Sequence, residues 1–153
     1  MENYTKYKLK EHDELVALLE DKDNLFIVAC NKCFKEFDTI DEPDCGEFEK
    51  IAAELGKTVT GSAKVDFVCN KIQTEKKLQG MIPEGTENVV VISCGLGVQT
   101  VAELAGKPVY AAANSLNYTG YHGMALTKKS CDACAQCYLN ITGGICPIVD
   151  CSK

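Results

Sequence analysis

The hydrophobic positions of this chain fall into short blocks whose period changes along the sequence. Leu15, Leu18 and Leu19 lie at helical spacing within Glu11 to Glu20, and polar residues fill the other face, which predicts a short amphipathic helix broken by Asp21 to Asn24. Leu25-Phe26-Ile27-Val28-Ala29 follows as an unbroken apolar run of strand length, and it leads into Cys30-Asn31-Lys32-Cys33. Phe48, Ile51, Ala52 and Leu55 then recur at i, i+3, i+4 and i+7 with Gly56 behind them, the pattern of a crossover helix with a glycine stop. A second strand is predicted at Lys64-Val65-Asp66-Phe67-Val68, ending in Cys69, and a polar helix from Thr74 to Gln79 closes at Gly80. The third strand, Val89-Val90-Val91-Ile92-Ser93, is rich in β-branched residues and runs into Cys94-Gly95-Leu96-Gly97. A helix through Val98, Val101, Ala102 and Ala105 to Gly106 comes next, and then a fourth strand, Val109 to Ala113.

Strands that alternate with helices imply a parallel sheet covered on both faces. The expected fold is therefore α/β, a small flavodoxin-like or Rossmann-like parallel sheet of about four strands. From Tyr118 onward the periodic signals fade, and Lys128 to Lys153 is dominated by cysteine, glycine and small residues. That divides the chain into an α/β domain over 1–120 and a cysteine-rich metal-binding tail over 121–153, which has too little apolar material for a core of its own.

Composition narrows the function. With 46% hydrophobic and 25% charged residues the chain is expected to be globular. Its net charge is -6 and it contains no arginine, so it lacks both the positive field and the bidentate clamps that nucleic-acid binding uses. No apolar run is long enough for a membrane span, and the N-terminus lacks the apolar block of a signal peptide. The expectation is a cytoplasmic protein without membrane insertion, in which the sequons at Asn3, Asn117 and Asn140 are chance. Ten cysteines are then abnormal, because a reducing compartment favours metal or redox use over disulfides.

The cysteines fall into two sets. Cys30, Cys69 and Cys94 each end a predicted parallel strand, with Cys33 three residues past the first, and the C-terminal edge of such a sheet is where α/β folds hold their ligands. Cys131, Cys134, Cys137, Cys146 and Cys151 form a dense local set, C-x2-C-x2-C-x8-C-P-x3-C. Its opening and its Cys-Pro pair are similar to ferredoxin-type ligation, with Gly143 and Gly144 able to supply a loop of positive φ around the metal. Four thiolates suit a 4Fe-4S cluster or tetrahedral zinc, and spacing leaves both open. Five cysteines also exceed the four ligands usually needed, and Cys45 stands outside both sets as an unligated residue. Gly95-x-Gly97 is a weak match to a dinucleotide loop, because Thr100 occupies the third small position and no acidic residue follows the next strand. His12, His122, Asp66 and Asp150 sit in no catalytic pattern, and no catalytic residue is expected.

Two stretches carry a family resemblance. Ser93-Cys94-Gly95-Leu96-Gly97-Val98-Gln99-Thr100-Val101-Ala102-Glu103 is one, and the tail with Cys134-Ala135-Gln136-Cys137, Thr142-Gly143-Gly144-Ile145-Cys146-Pro147-Ile148 and Cys151-Ser152-Lys153 is the other. Together they resemble the MetV-type small subunit of bacterial methylenetetrahydrofolate reductase, which bears the methylenetetrahydrofolate reductase C-terminal domain, and the likeness extends from Phe26 to Lys153. The resemblance implies a non-catalytic partner of a flavin-containing TIM-barrel large subunit in an anaerobe's one-carbon metabolism, with possible further electron-transfer subunits. It also implies one or two 4Fe-4S clusters that pass electrons to the flavin. Cys30, Cys33, Cys69 and Cys94 would form one site, and four of Cys131, Cys134, Cys137, Cys146 and Cys151 the other, with zinc possible at one of them. Relatives usually continue past the Cys-x-Lys into a further segment with a Gly-Pro-Cys-Gly-Gly motif, which this sequence does not contain, so the resemblance implies that a ligand or docking element of the second site is missing here, and it leaves room for a different partner, such as another folate or corrinoid enzyme. Two other readings compete: a zinc-stabilised adaptor that assembles the flavoprotein without carrying electrons, and a thiol redox sensor using Cys30 and Cys33.

Overall fold

The computed structural model describes residues 5–31, 45–118 and 134–148. Its elements run β1 (Thr5–Leu9), α1 (His12–Leu19), β2 (Leu25–Cys30), α2 (Cys45–Glu54), β3 (Val59–Val65), α3 (Lys71–Leu78), β4 (Asn88–Ile92), α4 (Gly95–Leu104), β5 (Val109–Ala111) and β6 (Ala113–Tyr118). Strands β3-β2-β4-β5 form a four-stranded parallel sheet in that order, and β1 pairs with β6 in a separate antiparallel ribbon.

The central strand explains the layering. All six residues of β2 are buried, as expected of a parallel strand covered on both faces. Because side chains alternate, Phe26, Val28 and Cys30 pack in one layer with Val89, Val91, Val98, Val101 and Leu78, under α3 and α4. Leu25, Ile27 and Ala29 face the other way with Val90 and Ile92, against Leu15, Leu18 and Leu19 of α1 and Phe48 and Ile51 of α2. Counted along the chain, the four parallel strands lie in the order 2-1-3-4. This is the flavodoxin-like winding and not the Rossmann-like 3-2-1-4. Its switch point lies between β2 and β4, where successive connections leave in opposite directions.

Three elements depart from the pattern-based reading. The second parallel strand lies at Val59–Val65, not at 64–68. Gly61 and Ser62 hide it from a propensity reading, yet Gly61 fits there because the Phe26 ring would lie only 3.1 Å from an added Cβ. The chain then leaves the sheet at Phe67, whose φ is +55°. The fourth strand stops at Ala111, and Ala112 marks the passage into β6: its N–H donates to Val91 and its carbonyl accepts from Lys10 N–H at 2.8 Å. Strands β1 and β6 are the third departure. Thr5, Tyr7 and Leu9 alternate with lysines, a period-2 signal that only the distant partner Ala113–Tyr118 turns into a strand.

Glycine stops appear where expected, with φ of +68° at Gly56, +72° at Gly80 and +62° at Gly106. Helix α3 begins earlier than read, because the Asn70 side chain caps it by accepting from Gln73 N–H at 3.2 Å. No helix among the described residues is long and apolar enough to cross a membrane.

At the opposite edge of the sheet Asp23 ties three segments together, its carbonyl accepting from Asn88 Nδ2 at 2.8 Å and its carboxylate reaching Thr58. Its Oδ1 accepts from Thr58 N–H at 2.6 Å and from Asn24 N–H at 2.8 Å. These hydrogen bonds hold its carboxyl below the usual carboxylate range, the Thr58 bond being the largest cause. The stability that Asp23 contributes is therefore present above the unfolded value near pH ~4 and is lost as pH falls through the lower folded value. Asp23→Asn is expected to flatten the acid limb of a stability-against-pH curve below about pH 4. Urea midpoints between pH 2 and 7 measure this, and an unchanged acid limb would reject the assignment.

Candidate metal centre

The fold brings three of the predicted cysteines to the switch point, each by a different route. Cys30 is the last residue of β2, and the alternation of that strand places it in the α3/α4 layer, 5% exposed. Cys94 follows β4 after Ser93 and is the N-cap of α4, also 5% exposed. Cys69 differs from expectation. It stands not at the end of a strand but in the turn after β3, four residues past Val65 and one before the α3 cap. The turn still delivers it to the same edge: Cys69 packs with Cys94 and Leu96, and its carbonyl lies 3.5 Å from Thr100 Oγ1 of α4.

Tyr7 joins the three. It packs against the cluster of Cys94, Leu96 and Cys69, and its hydroxyl donates to the Cys30 carbonyl at 2.7 Å. Sequence reasoning missed this residue because it missed β1; the alternation of Thr5, Tyr7 and Leu9 was the available signal.

Gly97 explains the near-match to a dinucleotide loop. A Cβ at this position would fall 2.0 Å from Ser93 Oγ and 3.1 Å from Val68 Cγ1, so the residue lets the first turn of α4 close onto the end of β4. Thr100 is spent on that same turn, donating to the Leu96 carbonyl at 2.9 Å. The glycines thus serve packing around Cys94.

The C-terminal segment docks beside this edge. Ser115, itself buried, accepts at Oγ from Gly95 N–H and at its carbonyl from Ala135 N–H, both at 2.9 Å. One residue therefore links the neighbour of Cys94 to the neighbour of Cys134. Adding covalent spans to these contacts holds the Cα atoms of Cys94 and Cys134 within about 15 Å. Leu139 inserts into the α3/α4 layer at 2% exposure, and Cys137 and Cys146 pack half-buried against that layer. Cys134 is exposed, its thiol donating to the Gln136 carbonyl. Gly143 and Gly144 adopt φ of +67° and +88°, as expected of a glycine loop, and a Cβ on Gly144 would stand 3.0 Å from Ala102 on α4.

Comparison with known families decides the relationship of this segment. Residues 110–153 match the family described as "Methylene-tetrahydrofolate reductase C terminal". No curated protein and no solved structure matches the chain. The matched segment begins inside β5 at Tyr110 and includes β6, so it extends well upstream of the cysteine-rich stretch. Both the residue that links to Gly95 and the side chain that enters the core, Ser115 and Leu139, belong to it.

Among the described residues no three His, Cys, Asp or Glu side chains converge closely enough to hold a metal ion. Cys33, Cys131 and Cys151, expected members of the two sets, lie outside the described residues, as do His122 and Asp150. The donor chemistry fits a thiophilic group: the three strand-edge residues gathered here offer sulfur only, two of them nearly water-free. The positive end of the α4 dipole also lies at Cys94, where it favours a thiolate or an anionic cluster. Cys45 packs in the opposite layer, against the Phe48 cluster. His12 is exposed beside Asp13, and Asp66 accepts from Asn31 Nδ2 at 2.9 Å.

Proposed function

We propose that this chain is the iron-sulfur electron-transfer subunit of a methylenetetrahydrofolate reductase complex, passing electrons to the flavin of a partner subunit. The observations that support the reading are the placement of Cys30, Cys69 and Cys94 at one edge of the sheet, with Tyr7 hydrogen-bonded to Cys30 and packed against the Cys94 cluster, and beside it a docked segment that matches the methylene-tetrahydrofolate reductase C-terminal family. Cys30, Cys33, Cys69 and Cys94 would hold one cluster, and four of Cys131, Cys134, Cys137, Cys146 and Cys151 a second. A bound 4Fe-4S cluster supplies one-electron transfer at a potential set by charge, hydrogen bonds to sulfur and solvent access.

The chain's own residues control those terms. Burial of Cys30 and Cys94 keeps water from the first site, and Tyr7 closes it from the ribbon side. Gly97 sets how closely α4, with Cys94 at its start, approaches β4. The Ser115 link, which ties Gly95 to Ala135, would keep the two sites close to each other. Ile141, Ile145 and Ile148 remain exposed on either side of Cys146, which provides apolar surface for a partner next to the outer site.

The test is iron, zinc and acid-labile sulfide per chain on anaerobically purified protein, with visible spectra before and after dithionite. About four or eight iron with equal sulfide and a bleachable absorbance are expected. Cys94→Ser is expected to remove one cluster's worth of iron and sulfide and leave the other. Zinc without sulfide or colour would overturn electron transfer and leave a structural adaptor.

A further inference from the structure

The C-terminal end of β3 and the helix α3 border a cavity of about 480 Å³. Three of the side chains that line it are lysines, Lys64 from β3 and Lys76 and Lys77 from α3. The one carboxylate among its described walls is Asp66, just past β3, whose Oδ1 accepts from Asn31 Nδ2 at 2.9 Å. Asn31, just past β2, is itself fixed, its N–H donating to the Val65 carbonyl at 3.0 Å. Gln73 of α3 adds a further polar wall.

Lysines elsewhere in the protein meet counter-charges: Lys8 pairs with Glu11, Lys10 with Glu14, Lys22 with Asp21 and Lys71 with Glu103. Among the described residues Lys64, Lys76 and Lys77 make no ion pair. Glu75 of α3 lines the groove toward Leu104 instead, and its charge acts on Lys71. A chain of net charge -6 thus gathers, in one cavity, three ammonium groups against one carboxylate. Lys76 and Lys77 sit in the last turn of α3, where the helix dipole favours cations, but the dipole does not account for Lys64, which a different element brings to the same place. Like charges gathered in this way repel, and an anion seated between them turns that repulsion into attraction. The cavity also begins at the C-terminal ends of two adjacent parallel strands, β2 and β3, the side on which α/β sheets hold their ligands, and it has the volume of a small-molecule site.

We propose that this cavity binds a small polyanion, a metabolite with two or more phosphate or carboxylate groups, and that Lys64, Lys76 and Lys77 supply its counter-charges from two walls. The inference does not depend on a metal at the cysteines, since it uses none of them. Because Asn31 directly follows Cys30, the ligand would lie beside the first cysteine set.

The experiment measures binding of pyrophosphate and of propane-1,2,3-tricarboxylate to the full chain, by calorimetry and by the rise in unfolding temperature. It is done at about 20 and about 200 mM salt, because screening weakens exposed ion pairs as ionic strength rises. Binding of either anion at low salt supports the proposal, and the stronger of the two identifies the head group. Lys64→Gln with Lys77→Gln is expected to weaken binding about three- to tenfold. Lys8→Gln with Lys50→Gln, which removes two exposed charges elsewhere, should change it less than about twofold. All four lysines are exposed, so the unliganded variants should unfold close to the unaltered protein. Asp66→Asn keeps an acceptor for Asn31 and removes the opposing carboxylate, and it should tighten binding about two- to threefold, a gain that a merely structural Asp66 would not give. Absence of binding by both anions at low salt, or equal losses in the two double variants, would overturn the proposal. Binding of an aspartate oligomer where neither small anion binds would overturn it as well and assign the face to an acidic protein.

Discussion

Truncating Leu139 to alanine is expected to release the C-terminal segment from the body of the protein. This side chain is 2% exposed and lies in the same layer as Val101, Val109 and Ala111, whereas Ile141, Ile145 and Ile148 from the same segment point outward. Beside it the segment is held by the half-buried Cys137 and Cys146 and by hydrogen bonds such as those of Ala135 to Ser115 and of Cys137 to Asn114, each worth about 1 kcal/mol net. Removing a buried leucine side chain costs about 2–5 kcal/mol, depending on how far the surroundings relax. Urea unfolding should show that loss, and limited proteolysis should find new cleavage within residues 134–148. Ile141→Ala is the control, since a 79% exposed side chain should change stability by no more than about 0.5 kcal/mol. Equal behaviour of the two variants would mean that Leu139 does not anchor the segment. Because Cys137 and Cys146 pack on the same layer, the proposed reading expects Leu139→Ala also to lower metal retention at the second site while sparing the first.

Replacing Gly97 by alanine is the second large effect. In a free helix alanine is favoured over glycine by up to ~1 kcal/mol, so propensity alone predicts a small gain. The structure predicts a loss. The new Cβ would meet Ser93 Oγ at 2.0 Å, Ser93 Cβ at 3.1 Å and Val68 Cγ1 at 3.1 Å. Ser93 is 1% exposed and its hydroxyl donates to the Cys94 carbonyl at 2.8 Å, so it cannot swing away without leaving a buried group unpaired. Relief requires α4 to move off β4 by tenths of an ångström, at a cost of about 1–3 kcal/mol for overpacking. That movement carries Cys94 with it, so on the proposed reading loss of metal from the first site should accompany loss of stability. The double variant Gly97→Ala, Ser93→Ala removes the closest contact and should recover part of the stability, as a positive coupling in a double-mutant cycle. A Gly97→Ala protein as stable as the original, with full metal content, would show that the close approach is not what the glycine is for.

The pattern of apolar residues determined much of this architecture by itself. Leu25 to Ala29 and Val89 to Ile92 are apolar at every position because a central parallel strand is covered on both faces, and no other environment in a chain of this size requires that. The helical spacing of Leu15, Leu18 and Leu19 and of Phe48, Ile51 and Ala52 likewise identified the faces that are buried. The residues of the tail pointed to a family relationship, and the family match over residues 110–153 bears out that relationship.

Other features depended on contacts made far along the chain. The strand at Val59–Val65 contains glycine, serine and threonine, and it exists because β2 offers it a partner edge. The β1–β6 ribbon pairs residues about a hundred positions apart, and no local period can announce such a partner. Winding order could not be read locally either, since both 2-1-3-4 and 3-2-1-4 sheets alternate strand and helix in the same way. That order makes the β2–β4 gap the switch point and so decides that Cys30, Cys69 and Cys94 stand at the same edge of the sheet. Tyr7 and Ser115 lay hidden for the same reason. Each is an ordinary polar residue in a local window, and each acquires its role only from the groups that tertiary structure brings to it, because a buried hydroxyl must find partners wherever the fold supplies them.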